Sequence, residues 1–164
     1  MVKEKISDQQ WPQRNLWVGI GCRRGSSLDL IETAIEQVFT ENQLHQSAIA
    51  GFATINTKAT EVGLIEFCCL RNLPLRTFSA EILSTVCVPN PAKIVATQVV
   101  TASVAEAAAI IAASYANSFE YSELLPLPAT LKVRFLVPKQ IVRLQGQLGA
   151  VTVAVTQESD IAKC

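Results

Sequence analysis

The sequence predicts an α/β domain: three layers, α/β/α, around a mixed, mostly parallel sheet of about five strands. Three observations point there. Short apolar runs alternate with longer segments whose apolar residues recur at helical spacing. Each early run ends in a polar or glycine-rich loop, and a helix start follows at once. Two apolar runs then succeed one another near the C-terminal end with no helix between them, which adds an antiparallel pair to a parallel series.

The chain has 164 residues, 49% hydrophobic and 17% charged, enough for one domain with a real core. Lys+Arg and Asp+Glu balance at 14 each, so no global field recruits nucleic acid or an anionic membrane, and any preference for anions must be local. No apolar run reaches the roughly 18 residues of a membrane span, and the polar start lacks a signal-peptide core. These features predict a cytoplasmic protein with a flexible leader over residues 1–14, one domain over 15–157 and a tail over 158–164. The five cysteines (Cys22, Cys68, Cys69, Cys87, Cys164) form no CxxC pair, and His45 is the single histidine. Those spacings argue against a disulfide framework or a zinc site, and neither a protein-held metal nor a resident cofactor is expected.

Residues 16–20 read as the first strand. Ser26, with Asp29 three positions on, resembles a capping box for a helix running to about residue 44, with Leu28, Ile31, Ile35, Val38 and Phe39 on one stripe. Residues 48–54 form a second buried strand, and Asn56-Thr57-Lys58 a polar loop. A helix from Ala59 or Thr60 is expected to turn Val62, Ile65, Cys69 and Leu70 to the core, with Cys68 and Cys69 packed as small hydrophobes. Residues 73–78 make a third strand, and Ser79 opens a short helix ending near Val86. Pro89-Asn90-Pro91 forces a turn, and residues 94–100 read as another strand. Ser103-Val104-Ala105-Glu106 is a second capping box, opening a helix so small and apolar that it should be buried with its backbone close to the sheet. Residues 115–131 suggest a long loop or lid. Residues 132–137 and 150–155 are the last strands, joined through Pro138-Lys139 and a turn at 146–149.

Strand, glycine turn and helix start in succession make an anion-binding corner, because unpaired N–H donors and the helix dipole converge there. In open α/β sheets the crevice lies beyond the carboxyl ends of the strands. Loops 21–27, 54–61 and 101–106 should therefore meet. They supply Gly21, Cys22, Arg23, Arg24, Gly25, Ser26, Ser27, Thr54, Lys58 and Ser103 as binding groups, with Glu61 and Glu106 as candidates for proton transfer. Each has a structural alternative. Glu106 can be the capping-box acceptor, Glu61 can support a helix start, and the arginine pair can be a solvated turn. Cys22 has no second histidine to activate it. Gly19-x-Gly21-x-x-x-Gly25 is not the dinucleotide fingerprint, and no GxxxxGK[ST] occurs. The guest is a polyanion, and carboxylates or phosphates both fit.

Gly19-Ile20-Gly21-Cys22-Arg23-Arg24-Gly25-Ser26-Ser27 resembles the GxGCRRG[TS]S opening of the C-terminal domain of CbiG, found alone as CobE, in cobalamin biosynthesis. Three further blocks agree in order: residues 53–64, ATINTKATEVGL; residues 103–109, SVAEAAA; and Lys139 with the TVAV of 152–155. The resemblance spans about residues 17–155, and the short leader makes the chain similar to the stand-alone form. It implies a role in making the corrin ring. Full-length members resemble a hydrolase of cobalt-precorrin-5A, in which the δ-lactone is opened and a two-carbon fragment leaves as acetaldehyde. It also implies a corrin or precorrin polycarboxylate as ligand, gripped by Arg23, Arg24 and Lys58. The alternatives are a non-catalytic carrier or partner subunit for a pathway methyltransferase, and a generic phosphometabolite-binding domain.

Overall fold

A computed structural model describes residues 14–86, 104–115, 133–146 and 149–158. Its five strands are β1 (Leu16–Cys22), β2 (Ile49–Ile55), β3 (Leu75–Phe78), β4 (Val133–Val142) and β5 (Val151–Glu158). Its α-helices are α1 (Leu28–Glu41), α2 (Val62–Arg71), α3 (Ala80–Leu83) and α4 (Val104–Ser114). The sheet order is β3-β2-β1-β5-β4. β1, β2 and β3 pair in parallel, whereas β5 is antiparallel to both β1 and β4, so four of the five strands point one way.

Alternation along β1 divides the interior. Leu16, Val18 and Ile20 face a cluster built with α1, α2 and the valines of β5, while Trp17 faces a second cluster with α3 and α4. Helices thus cover both faces. On the first, α1 buries Leu30, Ile31, Ala34, Ile35, Val38 and Phe39, each larger side chain contributing about 1.5–3 kcal/mol before chain entropy is set against it. An extra residue in β2 brings Leu16 opposite Ile49 but Trp17 opposite Gly51, so Ile49 and Phe52 both reach this face. On the other face α4 is buried from Ala105 to Ala113, as its composition predicts. A Cβ at Gly19 would run into the carbonyl oxygen of Ala105, and 3.1 Å separates that position from the Ala109 methyl. Helix backbone rests on strand backbone there.

Four expectations are corrected. Ser27, not Ser26, caps α1: its Oγ accepts from the Leu30 N–H at 3.0 Å. The second helix begins at Val62, after a single 3-10 turn over Asn56–Lys58, and it buries Leu64, Phe67 and Cys68. Val62 and Leu70 are 68% and 73% exposed, and Ile65 and Cys69 also face out. The reason lies at Gly63, where a Cβ would collide with the Ser26 carbonyl oxygen; this side of the helix must face the start of α1. Finally, β4 does not stop before Pro138 but runs through it, with register shifts on either side of Val137. Proline and an irregular ladder are compatible because β4 lies at the edge of the described sheet.

No helix of the described residues is long and apolar enough to cross a membrane. Residues 1–13 of the leader, the strand over 94–100, the turn at Pro89, Ser103, Cys87, Cys164, residues 116–131 and the tail beyond 158 lie outside the described residues.

Candidate functional site

The glycine turn is built by its own backbone. Gly25 takes φ +83°, which only glycine adopts readily, and both the Ser26 N–H (3.1 Å) and the Ser26 Oγ (2.8 Å) donate to the Arg23 carbonyl. The loop is then tied to the next one: the Gly25 N–H donates to Oε1 of Glu61 at 2.9 Å, a charge-assisted bond between the two helix starts. Gly63 closes the joint by letting α2 approach Ser26 and Leu28. Arg24, Gly25, Ser27, Thr60, Glu61 and Glu66 line an open hollow of about 420 Å³ between the first turns of α1 and α2.

Cys22 ends β1 opposite Val151, half-buried. Burial pushes its thiol up; the Lys58 charge pulls it down, Glu61 raises it and a hydrogen bond with Ser26 lowers it. The net rise disfavours the thiolate, and with it a nucleophilic role. The same interactions put Lys58 and Glu61 at this corner. Among the described residues, no hydrogen bond or ion pair engages the guanidinium of Arg23 or Arg24 or the ammonium of Lys58. The two adjacent arginines diverge: Arg24 lines the hollow, whereas the stem of Arg23 lies along Gly149 in the β4–β5 turn.

Gly21 and Cys22 at the end of β1, and Arg23, Arg24, Gly25, Ser26, Ser27, Lys58 and Glu61 beyond the ends of β1 and β2, therefore share one rim of the sheet. Two predicted residues stand apart. Thr54 is fully buried and donates its hydroxyl to the Ile20 carbonyl at 2.6 Å, so it joins β2 to β1 and faces no hollow. Glu106 is also fully buried, on the α4 side of the sheet. Its Oε2 accepts the Lys139 N–H at 2.9 Å, a donor that the irregular register of β4 takes off the ladder; its Oε1 has no hydrogen-bond partner among the described residues. Gly63 and Gly149 were missed as parts of the site. Gly63 carried a signal, since a glycine in a helix's first turn costs about 1 kcal/mol against alanine and calls for a packing reason. Among the described residues, no group of three His, Cys, Asp or Glu side chains is placed to hold a metal ion.

Residues 16–156 match the family described as Cobalamin synthesis G C-terminus. The chain belongs to that family. The family's place in cobalamin biosynthesis agrees with its relatives. A cobalt-precorrin-5A hydrolase of Priestia megaterium is 30% identical over 96 residues, which are 58% of this chain and 26% of that protein. The match thus spans about a quarter of that relative's length. The crystal structure of CobE, a protein from the cobalamin biosynthetic pathway, superposes with a TM-score of 0.64 over 87% of this chain and 93% of its own; at 22% identity it supports the fold. Cobalamin biosynthesis protein chiG of Agrobacterium tumefaciens is 28% identical, with a TM-score of 0.57 over 88% of this chain and 99% of that one.

Proposed function

We propose that this cobalamin biosynthesis chain binds a corrin-ring intermediate by its carboxylate arms at the rim of β1 and β2. We further propose that it serves the opening of the cobalt-precorrin-5A δ-lactone with loss of acetaldehyde. One observation carries the reading: Arg23, Arg24 and Lys58 stand unpaired among the described residues at one rim of the sheet, Arg24 lining the hollow between two helix starts and Arg23 lying beside Gly149. Acetate and propionate arms give each cation a partner, bidentate for the arginines, and the free helix N–H groups add donors. Lactone opening develops an oxyanion at the attacked carbonyl, and the same guanidinium groups can stabilise it. Glu61 lines the hollow with Oε1 anchored by Gly25, which makes it the better candidate to accept a proton from the attacking water. Glu106, fully buried, would serve only a group reaching the α4 side. Ser103 is retained as a contact on sequence grounds. Cobalt, where present, arrives inside the substrate.

The second reading is a carrier that holds the intermediate for another pathway enzyme. It is favoured by the Cys22 thiol, which burial turns away from nucleophilic work. Incubation with cobalt-precorrin-5A separates the two. Acetaldehyde released above a no-protein control, and lost in Glu61→Gln, supports hydrolysis. Saturable binding without release supports the carrier. Removing both guanidinium groups (Arg23→Ala with Arg24→Ala) should weaken binding about a hundredfold or more, since each charge-assisted bond contributes roughly 1.5–3 kcal/mol. Unchanged affinity in that variant overturns the site.

A further inference from the structure

We propose that Gly149 is a positioning residue for Arg23: the β4–β5 turn supplies a bare backbone shelf that holds the arginine's stem while leaving its guanidinium open at the rim. The inference rests on the reading of Arg23 as an anion contact and adds what prepares it for that contact. Gly149 has φ +89°, and a Cβ built on it would lie 3.0 Å from Cδ, 3.5 Å from Cβ and 3.8 Å from Cγ of Arg23. Three successive stem atoms therefore run alongside one glycine. The shelf is fixed to the arginine's own strand, because Cys22 pairs with Val151, so turn and stem are each one or two residues from a shared ladder rung. At the tip, no hydrogen bond or ion pair engages the guanidinium among the described residues. A long side chain held at its stem and free at its tip has already given up part of the rotamer freedom that anion capture would otherwise remove. Arg24, on the other side of the turn, lines the hollow instead.

The same turn contains its own control. Gly146 has φ +84°, close to the φ of Gly149, and a Cβ there would meet nothing within 4 Å. Alanine at either position incurs the same left-handed strain, but only Gly149→Ala puts a methyl against Arg23.

The test measures the affinity of the full chain for uroporphyrin, a tetrapyrrole carrying acetate and propionate arms. It compares the unmodified chain, Gly149→Ala, Gly146→Ala, Arg23→Ala and Arg23→Ala with Gly149→Ala. Gly149→Ala should weaken binding about three- to tenfold and Gly146→Ala should leave it unchanged. In the Arg23→Ala background, Gly149→Ala should have no further effect. A second measurement needs no variant to fold: without ligand, the Nε–H of Arg23 in the unmodified chain should be more ordered by NMR relaxation than that of Arg24. Equal losses in Gly149→Ala and Gly146→Ala, an undiminished Gly149→Ala effect when Arg23 is already alanine, or an Arg23 as mobile as Arg24 each overturn the positioning role while leaving the anion site standing. If Arg23→Ala alone binds uroporphyrin as tightly as the unmodified chain, the anion reading falls and the positioning role with it.

Discussion

On one face of the sheet, α1 and α2 reach the strands through large side chains. Phe39, Phe52, Phe67, Leu30, Ile31, Ile35 and Leu64 are all fully buried there, with Phe52 and Phe67 edge-to-face at 5.1 Å. On the other, α4 reaches β1 through almost none: alanines fill the helix, and Gly19 lets the Ala105 carbonyl settle on the strand. The first face is an interlocked volume that can relax when an atom is removed. The second is, at Gly19, a close approach of two backbones that leaves no room for a side chain, with Trp17, Phe78 and Ile111 packed around it. The contrast explains how the rim is held. The glycine turn and Glu61 hang from the side-chain-rich face through the start of α1, while the Lys139 end of β4 is latched to the backbone-close face by Glu106.

The sharpest way to break this comparison is to add one methyl to the second face and remove one from the first. Gly19→Ala should cost about 3 kcal/mol or more, because the obstructing atom is a helix carbonyl that cannot rotate away. Ile35→Val, an equal change in size on the α1 face, should cost about 1 kcal/mol. Urea unfolding of the two variants checks the ratio. Similar costs would mean that α4 shifts freely and that the two faces do not differ in kind.

Much of this arrangement is legible in the residues themselves. The alanine run after Ser103 and the glycines of β1 announce a close helix–strand contact, and the α1 stripe reads off at helical spacing. The α2 face does not, for a definite reason. With apolar residues at Val62, Leu64, Ile65, Phe67, Cys68, Cys69 and Leu70, every side of that helix is apolar, so periodicity has no power to choose. The choice is made by Gly63 against Ser26, a contact between loops distant in sequence. The rim is similar. That Arg23, Arg24, Lys58 and Glu61 gather at strand ends follows from alternating strands and helices. That Arg23 turns to Gly149 while Arg24 faces α2 depends on the β4–β5 turn, which no local pattern around residue 23 reveals. Thr54 shows the converse limit, since a hydroxyl at a strand end reads alike whether it faces a ligand or a neighbouring strand.

A smaller effect tests how the side-chain-rich face is joined to the rim. Ser27→Ala removes the Oγ that accepts the Leu30 N–H and should cost about 1 kcal/mol, whereas Ser27→Asp, which keeps an acceptor at the cap, should cost much less. Hydrogen exchange at Leu30 should rise in the alanine variant and stay near its original rate in the aspartate variant. If both variants exchange alike, the cap is not what orders the first turn, and the rim is held by the Gly25–Glu61 bond instead.

The smallest effect is invisible at neutral pH. Cys68, on the buried side of α2, has its thiol pushed up from the ordinary 9.0 to about 12, first by burial and then by the neighbouring Cys69. Below pH 9 both the folded and the unfolded thiol keep their proton, and pH has no leverage through this group. Between about pH 9 and 12 the unfolded thiol ionises while the folded one does not, so the folded state binds more protons and stability falls as pH rises. Cys68→Ala should lower stability at pH 7 through lost packing, yet flatten the decline of Tm between pH 9 and 11 relative to the unmodified chain. Cys69→Ser, changing the exposed side of the same helix, should leave most of that decline in place. If the two variants flatten it equally, charge between adjacent cysteines rather than burial sets the thiol, and the inward face of α2 is wetter than the packing of Leu64 and Phe67 implies.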